Sequence, residues 1–314
     1  MSDNAQQSKR SYMIKIILAF GAVYFIWGTT YLGIRLAIET IPPFFMAGSR
    51  VFLAGTIMFI FLRARGAPRP TRLHWRSAVL VGALLLGGGS GLVTWAEQQV
   101  PSGTAALIIA TVPLWIALFE WLFFAKTRPG KRVTTGLLLG MVGIFLLVGP
   151  DQILRTADFS LFFLFVILLS PILWSLGSLY SRSAPLPEDT LLGAAMQMIG
   201  GGGVLLIAGA LTGELADLDI ASISTTSLAA WVYLVFFGSI IAFTAYIWLI
   251  KEVSVTKAAT YTYVNPVVAV FLGWLILSEP ITPITLLSSA IIILAVLLIQ
   301  TAKPPAQSIS PEAI

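Results

Sequence analysis

Apolar runs of about 20 residues, broken by short polar connections, recur along the whole chain, and each is long enough to carry an α-helix across ~30 Å of hydrocarbon. The windows place helices at about 14–38, 43–62, 76–97, 103–125, 133–149, 159–180, 190–211, 228–250, 256–277 and 282–300. The first run is too long for the apolar stretch of a secretory signal and has no small-residue cleavage site, so it is expected to be retained. The pattern predicts an all-α integral membrane fold of ten transmembrane helices. Residues 1–12 and 303–314 are polar or proline-rich, have too little apolar surface to pack, and are expected to be disordered cytoplasmic ends.

Composition agrees with lipid as the solvent: 57% of the 314 residues are hydrophobic and only 11% are Asp, Glu, Lys or Arg. The absence of cysteine excludes disulfides, thiol catalysis and cysteine metal sites. The net charge of +5 does not point to nucleic acid, because the basic residues sit in short connections and form no polar face. They report topology instead. With an even number of spans and the N-terminus inside, every Lys and Arg except Arg35, Arg50 and Arg155 falls on the cytoplasmic side. The opposite connections hold Glu39, Glu97, Asp151, Asp158, Glu214, Asp217, Asp219 and Glu279. Both termini are expected in the cytoplasm.

The chain also resembles itself. At an offset of 153 residues, Trp95 falls on Trp248, Val100 on Val253, Pro113 on Pro266 and Trp121 on Trp274. At 147, Trp27 falls on Trp174 and Arg35 on Arg182. The ordered matches define two repeats, 13–150 and 151–302. Five helices per repeat is odd, so equivalent helices cross in opposite directions. The loops agree: KTRPGKR after helix 4 is basic, while its counterpart SEPITP after helix 9 is acidic. Inverted repeats imply a shared central cavity near the midplane, the geometry used for alternating access.

Candidates to line that cavity are aromatic or polar residues at depth. Trp27, Trp115 and Trp174 fall near mid-span, where an indole N–H needs a partner or a wet cavity. Tyr24, Trp27, Tyr31 and Arg35 share one helical face, a pattern that helix packing would also produce. Arg50 lies about two turns into helix 2 and aligns with Gln197, and Glu120 lies near an end of helix 4. Each charge serves either a path or simple snorkelling. Pro113 and Pro266 sit at equivalent mid-helix positions, where each frees a backbone carbonyl, and Asn265 adjoins the second. Gly136 and Gly140 form a small-residue packing face. No carboxylate lies at the centre of a span, which gives carboxylate proton coupling little support.

An enzymatic reading fails on geometry. Gly88-Gly89-Ser90-Gly91 matches the GxSG pattern of intramembrane serine proteases, but the single histidine, His74, lies 16 residues earlier on the same helix. That is ~24 Å away at 1.5 Å per residue, beyond any hydrogen bond. No phosphate loop, dinucleotide fingerprint or metal-ligand cluster is present, so neither catalytic residues, cofactors nor metals are expected.

The stretches WGTTYLGIR (27–35), Pro43 to Arg50, TWAEQQVPSGTAALIIATVPLWIALFEWLFF (94–124) and TKAATYTYVNPVVAVFLGWLILSEPIT (256–282) resemble the EamA family of the drug/metabolite transporter superfamily. The resemblance covers about residues 14–300 and implies two inverted five-helix repeats around a cavity, with export of amino acids, other metabolites or toxic compounds. Lys126 stands where Glu279 supplies the acid in the second copy, a departure from symmetry. The expected function is secondary transport, with a non-transporting receptor or assembly scaffold as the alternative. The expected partners are a small-molecule substrate and the lipid bilayer, with no nucleic acid; the oligomeric state is left open, a monomer among the options. Cavity candidates are Trp27, Tyr31, Trp95, Trp115, Trp174, Tyr246, Tyr263 and Asn265, and gating or structural candidates are Arg50, Gln197, Glu120, Pro113 and Pro266.

Overall fold

The computed structural model describes residues 2–100, 102–124, 128–149, 161–216, 218–277 and 281–302. Lys126, Asp151, Arg155, Asp158, Asp217, Glu279 and the tail 303–314 lie outside the described residues. The described chain is helical, and nine of its helices are long and apolar enough to cross a membrane.

Helix α1 (Ser2–Ala37) leads through a turn into α2 (Pro43–Ala64). The third span is composite: α3 (Arg72–Gly82) passes through π-helical turns at Ala83–Gly91 into α4 (Leu92–Ala96). The fourth is broken at Ala110-Thr111 between α5 (Ser102–Ile109) and α6 (Val112–Phe119), and ends in π-helical turns at Glu120–Phe124. Then follow α7 (Lys131–Val148), α8 (Leu161–Ser183) and α9 (Thr190–Leu211). The next span repeats the composite design, with α10 (Thr225–Tyr233), π-helical turns at Leu234–Phe243 and α11 (Thr244–Glu252). A single turn, α12 (Val255–Ala258), precedes α13 (Tyr261–Leu277), and α14 (Pro283–Gln300) closes the bundle.

Two differences from expectation have clear causes. Helix α1 begins at Ser2, so residues 2–12 are helical where disorder was expected. Adding turns to an existing helix costs little, and Tyr12 anchors the exposed segment by donating to Glu252 at 2.8 Å and lying edge-on to Trp248 at 6.5 Å. The helix expected at 256–277 starts only at Tyr261 and has 17 described residues, because the chain turns at Ala259-Thr260.

Packing follows small residues. Helices α2 and α9 lie against each other along their length, and α7 lies along α14. At Gly202 an added methyl would sit 2.6 Å from the Phe52 amide nitrogen, so only glycine permits this approach of α9 to α2. Gly136 faces Ile299 and Ala295 of α14, while Gly140 receives the Tyr263 ring. Helix α8 packs on the π-helical turns 83–91, and α1 packs on their counterpart at 234–243. Large apolar side chains such as Leu18, Phe25, Ile60, Phe165, Leu211 and Leu286 remain exposed on the outside, as a lipid-facing surface requires.

Candidate functional site

A cavity of about 110 Å³ lies among α1, α2, the two composite spans, α5, α6, α8 and α13. Its position follows from the π-helical turns. A π-helical turn bonds each carbonyl to the amide five residues on, and where the winding changes a carbonyl can accept from a neighbouring helix instead. The two stretches are used alike: Trp27 Nε1 donates to the carbonyl of Gly238 at 3.1 Å, and Ser170 Oγ donates to the carbonyl of Gly89 at 2.7 Å. Both π-helical segments line the cavity, and each accepts from a side chain of the helix packed on it.

The floor is aromatic. The Trp27 ring lies 4.6 Å from Tyr261, 5.3 Å from Tyr246 and 5.7 Å from Trp174 in edge-on or tilted geometries, which suit the ring quadrupoles. Trp174 Nε1 donates to the Tyr246 hydroxyl at 3.2 Å, and that hydroxyl also bonds Ser178 Oγ at 2.7 Å. Gly89 makes room for this floor, since a methyl there would lie 2.6 Å from Trp174 Cε3. The Asn265 amide, oriented to donate, lies 3.1 Å from the Tyr24 carbonyl and 3.0 Å from that of Tyr261, tying α13 to α1.

Of the residues expected here from sequence, Trp27, Tyr31, Trp174, Asn265 and Arg50 line the cavity. Tyr246 forms a second layer and is fully buried beneath Trp174. The others lie elsewhere. Trp95 stacks between Phe163 at 4.8 Å and Phe44 at 5.9 Å, where it seals the end of α4. Trp115 packs on Phe119 of its own helix. Tyr263 is buried against α7 and donates to the Leu137 carbonyl at 3.3 Å. Gln197 contacts Ser181 and is buried between helices, while Glu120 accepts from Thr256 at 3.4 Å. Pro113 stands at the start of α6, just past a break in the span, because it cannot donate to the Ile109 carbonyl; Ile109 borders the cavity. Pro266 lies inside α13.

Sequence reasoning missed Tyr261 and Glu97. Glu97 was counted among loop acids, yet it caps α4 and borders the cavity, with one carboxylate oxygen buried. Two signals pointed near it: the offset of 153 that pairs Trp95 with Trp248, and the stretch TWAEQQ (94–99), which contains Glu97 itself.

Polar contacts tie the bundle at both ends. Near the terminal residues, Gln300 Nε2 donates to Tyr24 at 3.2 Å and to Thr260 at 3.0 Å, and those two hydroxyls lie 2.6 Å apart. Lys257, outside the membrane-length helices, donates to the Gln300 carbonyl at 2.7 Å, and partial burial lowers its pKa. At the far end, Glu214 accepts from the amides of Phe44 and Phe45 at 3.1 and 2.8 Å, which satisfies the first turn of α2.

Known proteins resemble this chain in sequence and in fold. The family model described as the EamA-like transporter family matches residues 13–149 and again 161–301. The chain is 40% identical over 292 residues to the uncharacterized inner membrane transporter YedA of Escherichia coli (strain K12), covering 93% of this chain and 92% of that one. It is 28% identical over 276 residues to protein PecM of Dickeya dadantii, covering 88% and 89% respectively. A protein of known crystal structure superposes with a TM-score of 0.72 at 20% identity, over 91% of this chain and 96% of the other, which establishes the likeness of fold. With both halves matched by the same family model, the chain belongs to the EamA-like transporter family.

Proposed function

We propose that the protein is a secondary transporter, an exporter of small organic metabolites such as amino acids or related compounds. It works by alternating access between two inverted five-helix repeats. It resides in the bacterial inner membrane with both termini cytoplasmic. The observation that carries this reading is the cavity itself, whose walls come from both halves: Arg50, Ser90 and Glu97 from the first, and Trp174, Ser239 and Tyr261 from the second.

The packing supports the inverted repeat. Exchanging the halves maps the contact of α1 with the π-helical turns 234–243 onto that of α8 with the turns 83–91. It also maps α2 against α9 onto itself, and likewise α7 against α14. A pseudo-two-fold arrangement of this kind lets one set of contacts open as its mirror set closes. The aromatic floor suits a solute with an apolar part, which gains contact area without asking the site for a buried unpaired polar group.

Counterflow in proteoliposomes tests the proposal, with labelled amino acids, purines and cationic drugs at symmetric pH. Saturable exchange of at least one solute is expected. No exchange across the panel by folded protein would refute transport and leave the receptor or scaffold reading.

A further inference from the structure

Two charges of opposite sign border the cavity and do not meet. Arg50 is 6% exposed, and its Nε has no hydrogen-bond partner. Glu97 has one oxygen, Oε1, buried without a partner. Neither side chain forms a hydrogen bond or ion pair with any described residue; Glu97 is drawn at longer range by both Arg50 and Arg35, and Arg50 by Glu97. Their positions are fixed by different helices, Arg50 on α2 and Glu97 at the end of α4. The hydroxyls of Tyr31 and Tyr261, which also border the cavity, likewise have no partner among the described residues.

Buried charges of opposite sign collapse into a pair when nothing belongs between them, because an unpaired charge away from water is costly. A fixed gap with an unused donor on one side and an unused acceptor on the other has the shape of a binding site. We infer that Arg50 and Glu97 are the two poles of the substrate site, and that the transported molecule is a small zwitterion whose anionic group meets Arg50 and whose protonated amine meets Glu97. Its apolar part then rests on the Trp27, Trp174 and Tyr261 rings. Such a molecule satisfies both poles and brings no net charge into the bilayer. A cation or an anion would leave one pole bare and add a charge at depth.

This inference rests on the transporter reading, and the experiment separates the two. Binding to purified protein is followed by tryptophan fluorescence, and counterflow is measured in proteoliposomes at one fixed pH. The probes are L-leucine, L-methionine and L-phenylalanine, their methyl esters, which keep only the cation, and their N-acetyl derivatives, which keep only the anion. At least one free amino acid should bind and exchange, with each singly charged derivative at least about tenfold weaker. Arg50→Gln and Glu97→Gln should each weaken the zwitterion at least about tenfold. Glu97→Gln should also narrow the gap between the zwitterion and its N-acetyl derivative, and Arg50→Gln the gap to its methyl ester. The double variant should lose zwitterion binding, and each single variant should keep its thermal stability, whereas breaking a structural ion pair by removing one partner would cost stability.

Equal handling of the zwitterion and its derivatives, or unchanged affinity in both single variants, overturns the inference. So does exchange of other solutes only, which leaves the transporter reading standing. Zwitterion binding that needs both poles but gives no exchange keeps Arg50 and Glu97 as the poles of a binding site and overturns transport of its ligand.

Discussion

Tyr246→Phe isolates one interaction beneath the cavity floor. The ring is fully buried and packs 5.5 Å from Trp174 and 5.6 Å from Tyr261, and phenylalanine preserves that packing. Only the hydroxyl is lost. Ser178 stays satisfied through its 2.7 Å bond to the Trp174 carbonyl, whereas the Trp174 N–H has no other acceptor. The cost is therefore the desolvation of one buried donor, about 1–3 kcal/mol. Reversible unfolding in mixed detergent–SDS micelles measures it. In a Trp174→Phe background the N–H is already gone, so adding Tyr246→Phe should cost about 0.5 kcal/mol or less, a coupling that a double-mutant cycle reads directly. A Tyr246→Phe variant as stable as the parent, or an equal cost in both backgrounds, would refute the assignment of this hydrogen bond as the support of the floor.

The remaining expectations concern flux, the far end of the bundle and orientation. Trp174→Phe should lower exchange at least about tenfold through lost cavity contacts, while Trp174→Ala should also lose about 3–5 kcal/mol of stability because the void cannot refill. Unchanged exchange kinetics in Trp174→Phe would remove Trp174 from the site. Glu214→Ala leaves the first amides of α2 without their acceptor and should cost about 1–2 kcal/mol, with hydrogen exchange faster at Phe44 and Phe45 than at the opposite end of α2. Because the chain has no cysteine, Ser183→Cys and Gln98→Cys, both at exposed positions, report topology cleanly. An impermeant maleimide added to intact cells should label Gln98→Cys alone, and labelling of Ser183→Cys would reverse the orientation.

Element existence was legible because lipid demands long apolar runs, and an 18-residue run reads the same however the helix is wound. What the run hides is its winding. The π-helical turns at Ala83–Gly91 and Leu234–Phe243 shift every following side chain around the axis relative to an α-helical projection. Depth along a span was therefore a poor guide to which side chains face the cavity. Trp115 and Tyr263 were at plausible depth and point elsewhere, the first onto Phe119 and the second toward Leu137. Trp27 and Trp174 were found because the internal repeat paired them, and pairing carries information about position that depth alone does not. Glu97 was missed for a different reason: at the end of an apolar run, an acid that caps a helix beside a cavity reads the same as one exposed in a loop.

The wide turns in the two composite spans also bear on how this bundle can move without coming apart. A wide turn holds one residue of slack, and passing that slack along the helix swaps neighbouring hydrogen bonds one at a time. Each one-residue step swivels the backbone it leaves behind by about 100°. The Gly89 and Gly238 carbonyls, each held by a side chain of the adjoining helix, would be the pawls of such a ratchet. Large side-chain rearrangement could then proceed through small increments while the lipid-facing surface stays continuous.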